Sequence, residues 1–347
     1  GFLMMRITPP EDTAIRSLET QFVKGASSCS DQMKQAVAGH GLAKKEQVQE
    51  MVKMDALIRN DPHTFRMLDF EIGMHPIGGQ ICGSKPEMAG PCANIIEDLG
   101  FDVVDLNCGC PVDKVTKDGS GSAMLKTPEK IGEILSNMVA AVKIPVTVKI
   151  RAGWDANSIC SAEITQIAEQ AGASAICIHG RTRAQAYKGP ANWGYIAQAK
   201  QAAKKIQVIA NGDIFDPLSA QAIFEASGCD AILLARGTMG QPWLIEDIYR
   251  FFEKGERVKR SSLEYKQALL DHISHILSYQ TDRKALLDLR RVGCFYLKGG
   301  RGAKHLREAI NRSASLEEAL LHIQNFSWEG LDFSSLSVSE VSEEVSC

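Results

Sequence analysis

Short continuous runs of apolar residues alternate with amphipathic stretches from residue 76 to residue 235. Runs of this kind are typical of strands that are covered on both faces. The amphipathic stretches carry apolar residues at helical spacing and end at glycines such as Gly100, Gly172 and Gly228. Strict alternation of strand and helix predicts a parallel sheet with helices on its faces.

The alternation gives the boundaries of the predicted elements. The predicted strands lie at 76–82, 101–106, 145–150, 174–178, 206–210 and 230–235. The predicted helices lie at 86–99, 128–142, 161–170, 192–203 and 217–226, with Thr127 and Asp216 as N-caps. Two further units from residues 1–75 would complete an α/β fold of the (β/α)8 TIM barrel type, with about 250 residues. An open doubly wound sheet is disfavoured because no G-x-G-x-x-G sequence follows the first strand.

The two ends of the chain have different patterns. Before residue 76 we expect a strand at 2–7, helices at 11–22, 47–59 and 63–68, and a loop or weak helix at 24–49. After Trp243, helical patterns at 263–279, 281–297, 302–311 and 316–323 follow without an intervening strand. We therefore predict a barrel domain of residues 1–245 and a small all-α helical domain of residues 250–326. The segment 327–347 is rich in Ser and Glu, which is typical of disorder.

Composition narrows the class of protein without identifying it. Of the 347 residues, 44% are hydrophobic and 23% are charged, which are ordinary values for a globular protein. The net charge is −3, so any binding of nucleic acid requires a local basic surface. No apolar run reaches the ~18 residues of a membrane span, and residues 1–6 are too short for a signal peptide.

The ten cysteines are scattered through a chain too large to need disulfide bonds for its stability. We expect reduced thiols in a cytoplasmic, monomeric protein. Cys108 and Cys110 stand in the sequence D-L-N-C-G-C-P at 105–111, where a predicted strand passes into a glycine-rich loop. No second pair stands at zinc-ligand spacing, so no metal is expected. A tight turn whose cysteines only pack is the simpler interpretation of this stretch.

Polar residues follow every predicted strand from residue 76 onward. They are Gln80, then Asn107 and Cys110, then Lys149 and Arg151, then His179, Arg181 and Arg183, then Asn211, Gly212 and Asp213, and finally Arg236 and Gly237. In a barrel these positions converge on one mouth, where catalytic groups collect. Six polar strand ends in succession are difficult to explain by packing alone.

The residue types at the mouth indicate a flavin mononucleotide site. Asn211-Gly212-Asp213 and Arg236-Gly237 follow the last two strands, where barrels bind phosphate. Lys149 is suited to stabilise an anionic reduced flavin, and amides can bind a planar ring edge. An ordinary thiol is protonated at neutral pH, so Cys110 can act as a general acid. We interpret His179 as a neutral donor to ligand oxygens, the alternative being a base for Cys110.

Several stretches make the chain resemble the tRNA-dihydrouridine synthases of the bacterial type. They are E-M-V at 50–52, G-Q-I-C-G-S at 79–84, D-L-N-C-G-C-P at 105–111, V-T-V-K-I-R at 146–151, I-H-G-R-T-R at 178–183, A-N-G-D-I at 210–214, A-R-G-T-M-G-Q-P-W at 235–243 and Y-L-K-G at 296–299. The match extends over about residues 50–325. The combination of these motifs in register is highly specific.

The resemblance implies a TIM barrel that holds FMN, followed by a helical tRNA-binding domain. It implies that NADPH reduces the flavin, that hydride passes to C6 of a uracil in tRNA, and that Cys110 protonates C5. A uracil in folded tRNA must be extruded to reach such a site. Gln80, Asn107, Lys149 and His179 would hold the flavin and the base, and Asn211, Gly212, Asp213, Arg236 and Gly237 would hold the flavin phosphate. Arg151, Arg181 and Arg183 would lie near the substrate strand.

A local basic surface is available in the helical domain. It consists of Arg290, Arg291, Lys298, Arg301, Lys304, Arg307 and Arg312, which we predict to contact tRNA. A solvated helical face is the simpler explanation of these cations.

The first barrel unit, residues 1–49, departs from the family. An A-P-M-x-G loop usually follows the first strand, whereas residues 5–12 read M-R-I-T-P-P-E-D. A second departure is Val292, where the family often has a basic residue. Two alternatives therefore remain: an FMN-dependent reductase of a small-molecule ene substrate, and a catalytically impaired tRNA-binding homologue.

Overall fold

A computed structural model of the chain describes residues 4–7, 45–48, 51–70, 72–278, 280–300, 302–329, 331 and 333. The chain divides into two compact units, Gly1–Ala235 and Arg236–Cys347. The predicted helix at 11–22 and most of the predicted loop at 24–49 lie outside the described residues.

A sheet that closes on itself forms the centre of the first unit. Its strands are β1 Met4–Ile7, β2 Lys45–Val48, β3 Val52–Lys53, β4 Ile77–Cys82, β5 Val103–Cys108, β6 Val146–Arg151, β7 Ala175–His179, β8 Gln207–Asn211 and β9 Ala231–Leu234. Strands β4 to β9 pair in parallel in chain order. Strand β2 pairs in parallel with β4, and the sheet order places β1 between β2 and β9. The barrel is thereby closed, and the predicted (β/α)8 fold is confirmed.

The first strand differs from the ideal barrel in its direction. Strand β1 runs antiparallel to both of its neighbours, pairing Met5 with Gln47 of β2 and with Leu234 of β9. In this position it bonds the backbone groups that β2 and β9 would otherwise leave as open edges. The departure of residues 1–49 from the family pattern therefore coincides with a departure in topology.

Helices cover the outside of the sheet. In the first unit they are α1 Met54–Ile58, α2 Pro62–Met67, α3 Pro86–Asp98, α4 Asp113–Thr116, α5 Pro128–Ala141, α6 Ser161–Gln170, α7 Gly194–Ala202 and α8 Pro217–Ser227, with short 3-10 helices at Ile72–Met74 and Gly121–Lys126. Asp216 caps α8 as predicted, since its side chain accepts from the Ser219 N–H. Thr127 is the N-cap residue of α5 as predicted, but its side chain makes no capping hydrogen bond.

The predicted helix at 47–59 is wrong over most of its length. Residues Lys45–Val48 and Val52–Lys53 are strands, and only Met54–Ile58 is helical. A short apolar run fits both the helical and the strand period. Pairing with β4 shows that Val52 belongs to a strand.

The second unit is helical. Its helices are α9 Leu244–Lys254, α10 Ser262–Leu277, α11 Asp282–Asp288, α12 Cys294–Tyr296, α13 Lys304–Arg312 and α14 Leu316–Asn325, with a 3-10 helix at Arg236–Thr238. The predicted helix at 281–297 is interrupted by a π-helical turn at Leu289–Gly293. Trp328 and Phe333, which fall in the segment predicted to be disordered, are buried in the core of these helices. Among the described residues, no helix is long and apolar enough to cross a membrane.

Candidate active site

The paired strands bring the predicted polar residues together in rows on one face of the sheet. Asn107 of β5 is paired with Lys149 of β6. One row further along, Arg151 of β6 is paired with His179 of β7, which is paired with Asn211 of β8. Residues paired across parallel strands project to the same side. Five predicted site residues from four strands therefore share a face at the carboxyl ends of the strands.

Beneath this row lies a buried hydrogen-bond network that the sequence did not reveal. The Asp105 carboxylate accepts from Gln80 Nε2 at 2.7 Å and from Thr147 Oγ1 at 2.6 Å. Asn107 Nδ2 in turn donates to Gln80 Oε1 at 2.8 Å. Both polar atoms of the Gln80 amide are therefore bonded inside the protein. The network fixes the orientation of the Asn107 side chain rather than leaving its amide group free to rotate.

The orientation of Asn107 determines the conformation of the loop that carries Cys110. Asn107 Oδ1 accepts from the N–H groups of Gly109 at 3.1 Å and Cys110 at 2.9 Å. On the other side of the loop, the Cys110 carbonyl accepts from the Ser122 N–H at 3.0 Å. Arg151 Nε donates to the Gly109 carbonyl at 3.0 Å. Four hydrogen bonds thus hold the peptide units on both sides of Cys110.

A glycine is required where the following 3-10 helix meets this loop. Gly121 has φ +59°, and a Cβ there would lie 2.9 Å from the Cys110 carbonyl oxygen and 3.3 Å from the Cys110 Cβ. A side chain at this position would displace the loop.

The cysteines around the loop differ in their access to solvent. Cys82 and Cys108 are fully buried, whereas Cys110 is half-buried. Burial raises the pKa of the Cys82 thiol to about 12 and holds the pKa of Cys108 well above its usual value. Packing is therefore sufficient to explain Cys108, while Cys110 is the thiol of this loop that a substrate can reach.

Lys149 is a buried cation with few partners. Its side chain is 7% exposed, and Nζ lies 3.5 Å from the Ile150 carbonyl oxygen. No carboxylate forms an ion pair with it among the residues that the structure describes. Burial lowers the pKa of Lys149. An ammonium group in this setting is stabilised by a ligand that is anionic or that accepts negative charge.

Two arginines predicted to lie near tRNA are instead buried in the barrel. Arg151 is 3% exposed, and its Nη1 donates to the carbonyls of Thr182 at 2.9 Å and Ala186 at 2.8 Å. Arg181 is 1% exposed and makes two 2.8 Å bonds to the carboxylate of Asp213. A guanidinium bonded in this way cannot reach a nucleic-acid backbone without breaking its internal bonds, so the structure assigns both side chains to holding loops together.

Arg181 also contacts the imidazole ring of His179. Arg181 Nη1 lies 3.4 Å from Nε2 of the imidazole. A guanidinium carries donors and no acceptor, so the nitrogen that faces it must accept. The role of His179 as a neutral donor to a ligand stays a prediction.

Comparison with known proteins decides the family. The sequence model described as dihydrouridine synthase matches residues 19–329. The probable tRNA-dihydrouridine synthase 1 of Synechocystis sp. is 36% identical over 80% of this chain and 79% of its own. The tRNA-dihydrouridine synthase B of Pseudomonas aeruginosa is 36% identical over 80% and 84%, and that of Proteus vulgaris is 35% identical over 80% and 88%. The chain belongs to the dihydrouridine synthase family.

As a member of the dihydrouridine synthase family, the protein is an FMN-dependent oxidoreductase that reduces uridine in tRNA to dihydrouridine. The residues present fit a flavin, because the buried ammonium of Lys149 has no counter-ion among the described residues. Among solved structures, a histamine dehydrogenase from Rhizobium sp. 4-9 aligns with a TM-score of 0.44 at 11% identity, over 74% of this chain and 48% of that chain. That likeness is too low to support an inference.

The residues predicted to bind the flavin phosphate in this dihydrouridine synthase belong in part to the first unit and in part to the second. Asn211 Nδ2 donates to the Leu233 carbonyl at 2.8 Å, and Asp213 is paired with Arg181. Gly212 has φ +119°, and a Cβ there would lie 2.9 Å from His179 Cδ2, so the backbone passes close to the imidazole. Arg236 and Gly237 begin the second unit. Their contact with a flavin phosphate stays a prediction.

The predicted tRNA cations of the second unit differ in exposure. The Lys304 and Arg291 side chains are 77% and 52% exposed, and Arg312 is also exposed. Arg290 is half-buried and donates to the Ser313 carbonyl at 2.6 Å. The half-buried Lys298 and Arg307 complete the described set, and Arg301 lies outside the described residues. Contact of this surface with tRNA stays a prediction.

Proposed function

We propose that this dihydrouridine synthase uses Cys110 as the acid that protonates C5 of an extruded uracil in tRNA, with NADPH as the reductant. The observation that carries the proposal is the loop geometry. A half-buried thiol lies between peptide units that Asn107, Ser122 and Arg151 hold by hydrogen bonds. A general acid must be held at a fixed position relative to the reacting carbon, and this loop provides that restraint.

Bound FMN, once reduced, supplies the hydride that adds to C6 of the uracil. Addition at C6 leaves an electron pair that is shared between C5 and the C4 carbonyl oxygen. The Sγ–H of Cys110 donates its proton to C5, and the resulting thiolate regains a proton from water. His179 is suited to hold a carbonyl oxygen through Nδ1–H, because Arg181 occupies the side of Nε2.

Lys149 would act as an electrostatic partner of the bound ligand. Its charge is buried beside Asn107 and Cys177, and a fixed charge in such a place interacts strongly with charge on a ligand. We propose that Lys149 would help to hold the flavin and would stabilise negative charge on the reduced ring. Gln80 and Asn107 orient the Cys110 loop through their hydrogen bonds, and their direct contact with the flavin or the base stays a prediction.

A test of this function uses the purified protein with NADPH and an unmodified tRNA transcript. We expect a yellow protein whose flavin absorption is bleached by NADPH and restored by tRNA, together with dihydrouridine detected in the tRNA by mass spectrometry. Reduction of small enoates without dihydrouridine in tRNA would support the small-molecule reductase instead. Protein that binds tRNA but holds no flavin would support the impaired homologue.

The localisation and the oligomeric state of the protein are part of the same proposal. We infer a cytoplasmic monomer that acts on tRNA. The eight cysteines in the described part of the chain are free thiols, which supports a reducing compartment.

A further inference from the structure

Three loops at the carboxyl ends of β5, β6 and β7 meet around the indole ring of Trp154. Lys126 Nζ lies 3.6 Å from the centre of the ring, and Arg183 Cζ lies 4.6 Å from it. Lys126 is exposed, Trp154 is half-buried, and the Arg183 side chain is 29% exposed. We call Lys126, Trp154 and Arg183 the rim cluster. Two cations on one aromatic side chain fall within the distance of favourable cation–π contact.

The backbone holds the rim cluster in place. The Arg183 N–H donates to the Gly153 carbonyl at 2.9 Å, and the Ala184 N–H donates to the Trp154 carbonyl at 2.9 Å. These two bonds join the loops after β6 and β7. The Arg183 guanidinium also reaches Asp113, 2.7 Å away on the loop after β5. The cluster is therefore a fixed part of the barrel mouth.

The rim cluster is built on the segments that flank Cys110. Asp113, the partner of Arg183, follows Cys110 by three positions in the sequence. Lys126 ends the 3-10 helix Gly121–Lys126, in which the Ser122 N–H donates to the Cys110 carbonyl. A ligand bound by the cluster would therefore be bound next to the catalytic loop.

The charge of the rim cluster is only partly compensated. An aromatic ring attracts a cation without neutralising it, so Lys126 retains its full charge. No carboxylate pairs with Lys126 among the residues that the structure describes. The Asp113 side chain is 73% exposed, so its pairing with Arg183 is screened by water. The result is a preformed, net positive patch at the mouth.

The chemistry of the proposed substrate indicates what this patch binds. When a base is extruded into a pocket, its own phosphodiesters remain outside, at the edge of that pocket. Ammonium and guanidinium groups are the usual ligands of such phosphates.

We infer that the rim cluster binds the phosphodiester next to the reacting uridine, with Lys126 and Arg183 as its ligands and Trp154 holding both cations in position. The inference rests on the proposed function, because the phosphodiester belongs to the substrate tRNA. It adds Lys126 to the residues that bind the tRNA and Trp154 as the residue that positions them.

The experiment measures the affinity of the protein for unmodified tRNA by filter binding over a series of salt concentrations. The variants are Lys126→Ala, Lys126→Arg and Trp154→Leu. The control is Lys143→Ala, which removes the same charge from an exposed residue that precedes β6 at the opposite end of the barrel. Dihydrouridine formation by the wild-type protein is measured in the same preparations, which tests the proposed function separately.

We expect Lys126→Ala to weaken tRNA binding about three- to tenfold and to lower the salt slope by about one. Lys126→Arg should stay within about twofold of wild type because it keeps the charge, and it also serves as the folding control. Trp154→Leu should weaken binding at least as much as Lys126→Ala, since both cations lose their support. Lys143→Ala should change neither quantity. Equal affinities and slopes for Lys126→Ala and Lys143→Ala would overturn the inference, whether or not wild type forms dihydrouridine.

Discussion

The cations within the barrel strands and loops at the site differ from the exposed cations of the helical unit in their surroundings. In the barrel, Lys149, Arg151 and Arg181 are 7%, 3% and 1% exposed. In the helical unit, the side chains of Arg291 and Lys304 are 52% and 77% exposed. A buried cation is costly to desolvate and interacts strongly with whatever it faces, whereas an exposed one is screened by salt. The buried cations can therefore fix geometry, while the exposed ones can contribute to salt-dependent association.

The largest expected effect follows from breaking the buried pair of Arg181 and Asp213. Asp213→Asn keeps the shape of the side chain but leaves the guanidinium without its charged partner. We expect the free energy of unfolding to fall by about 3–5 kcal/mol, measured by urea denaturation. Asp55→Asn, in the exposed Lys85–Asp55 pair, is the control and should cost at most about 1 kcal/mol. Equal losses for the two variants would remove the distinction between buried and exposed charge.

A change of opposite sign is expected at Lys149. Lys149→Met removes a buried charge that has no counter-ion among the described residues, so the flavin-free protein should gain about 1–3 kcal/mol in stability. Flavin affinity and dihydrouridine formation should fall in the same variant. Thermal unfolding of the flavin-free proteins and the flavin content of the purified proteins measure the two effects. A destabilised variant would show that the charge is compensated in the folded protein.

The stability difference at Lys149 should also depend on pH. Because burial lowers the pKa of Lys149, the unfolded chain binds the proton more tightly than the folded protein. Wild-type stability therefore rises, relative to Lys149→Met, as pH increases from the lowered pKa towards the ordinary value near 10.4. The advantage of Lys149→Met should be greatest below that window. An advantage that grows with pH would contradict the direction of the pKa shift.

The smallest effect on stability is expected for the exposed cations. Lys304→Ala should change the free energy of unfolding by no more than about 0.5 kcal/mol. If the helical surface contacts tRNA, the same variant should lower the salt slope of tRNA binding by about one. Lys254→Ala, an exposed lysine at the end of α9, should leave the slope unchanged. Identical slopes for both variants would favour a merely solvated helical face.

The fold could be predicted from the sequence because the strands are buried on both faces. Continuous apolar runs predicted β4 to β9 within about two residues, and their carboxyl ends identified the residues that now share a face. The elements of the N-terminal region could not be predicted in the same way, because Val52 and Met54 fit both the helical and the strand period. Pairing with β4 shows that Val52 belongs to a strand.

The roles of the site residues were harder to predict from the sequence than their positions. Asp105 and Thr147 are strand residues with no local motif of their own, and the bonds that Asp105 accepts from Gln80 and Thr147 depend on the register between strands. Arg151 and Arg181 were expected near the substrate strand from the family resemblance. Their true partners are largely carbonyl groups of distant loops and one carboxylate, which no local pattern identifies.

The central claim, that Cys110 is the proton donor, is tested most directly by comparing Cys110→Ala with Cys108→Ala. Both variants remove one sulfur atom, and the two positions are separated only by Gly109. The measurement is dihydrouridine formed per enzyme in tRNA, with flavin content as the control. We predict that Cys110→Ala retains flavin but loses at least about 100-fold in rate, while Cys108→Ala retains most of its activity. Undiminished dihydrouridine formation by Cys110→Ala would contradict the account.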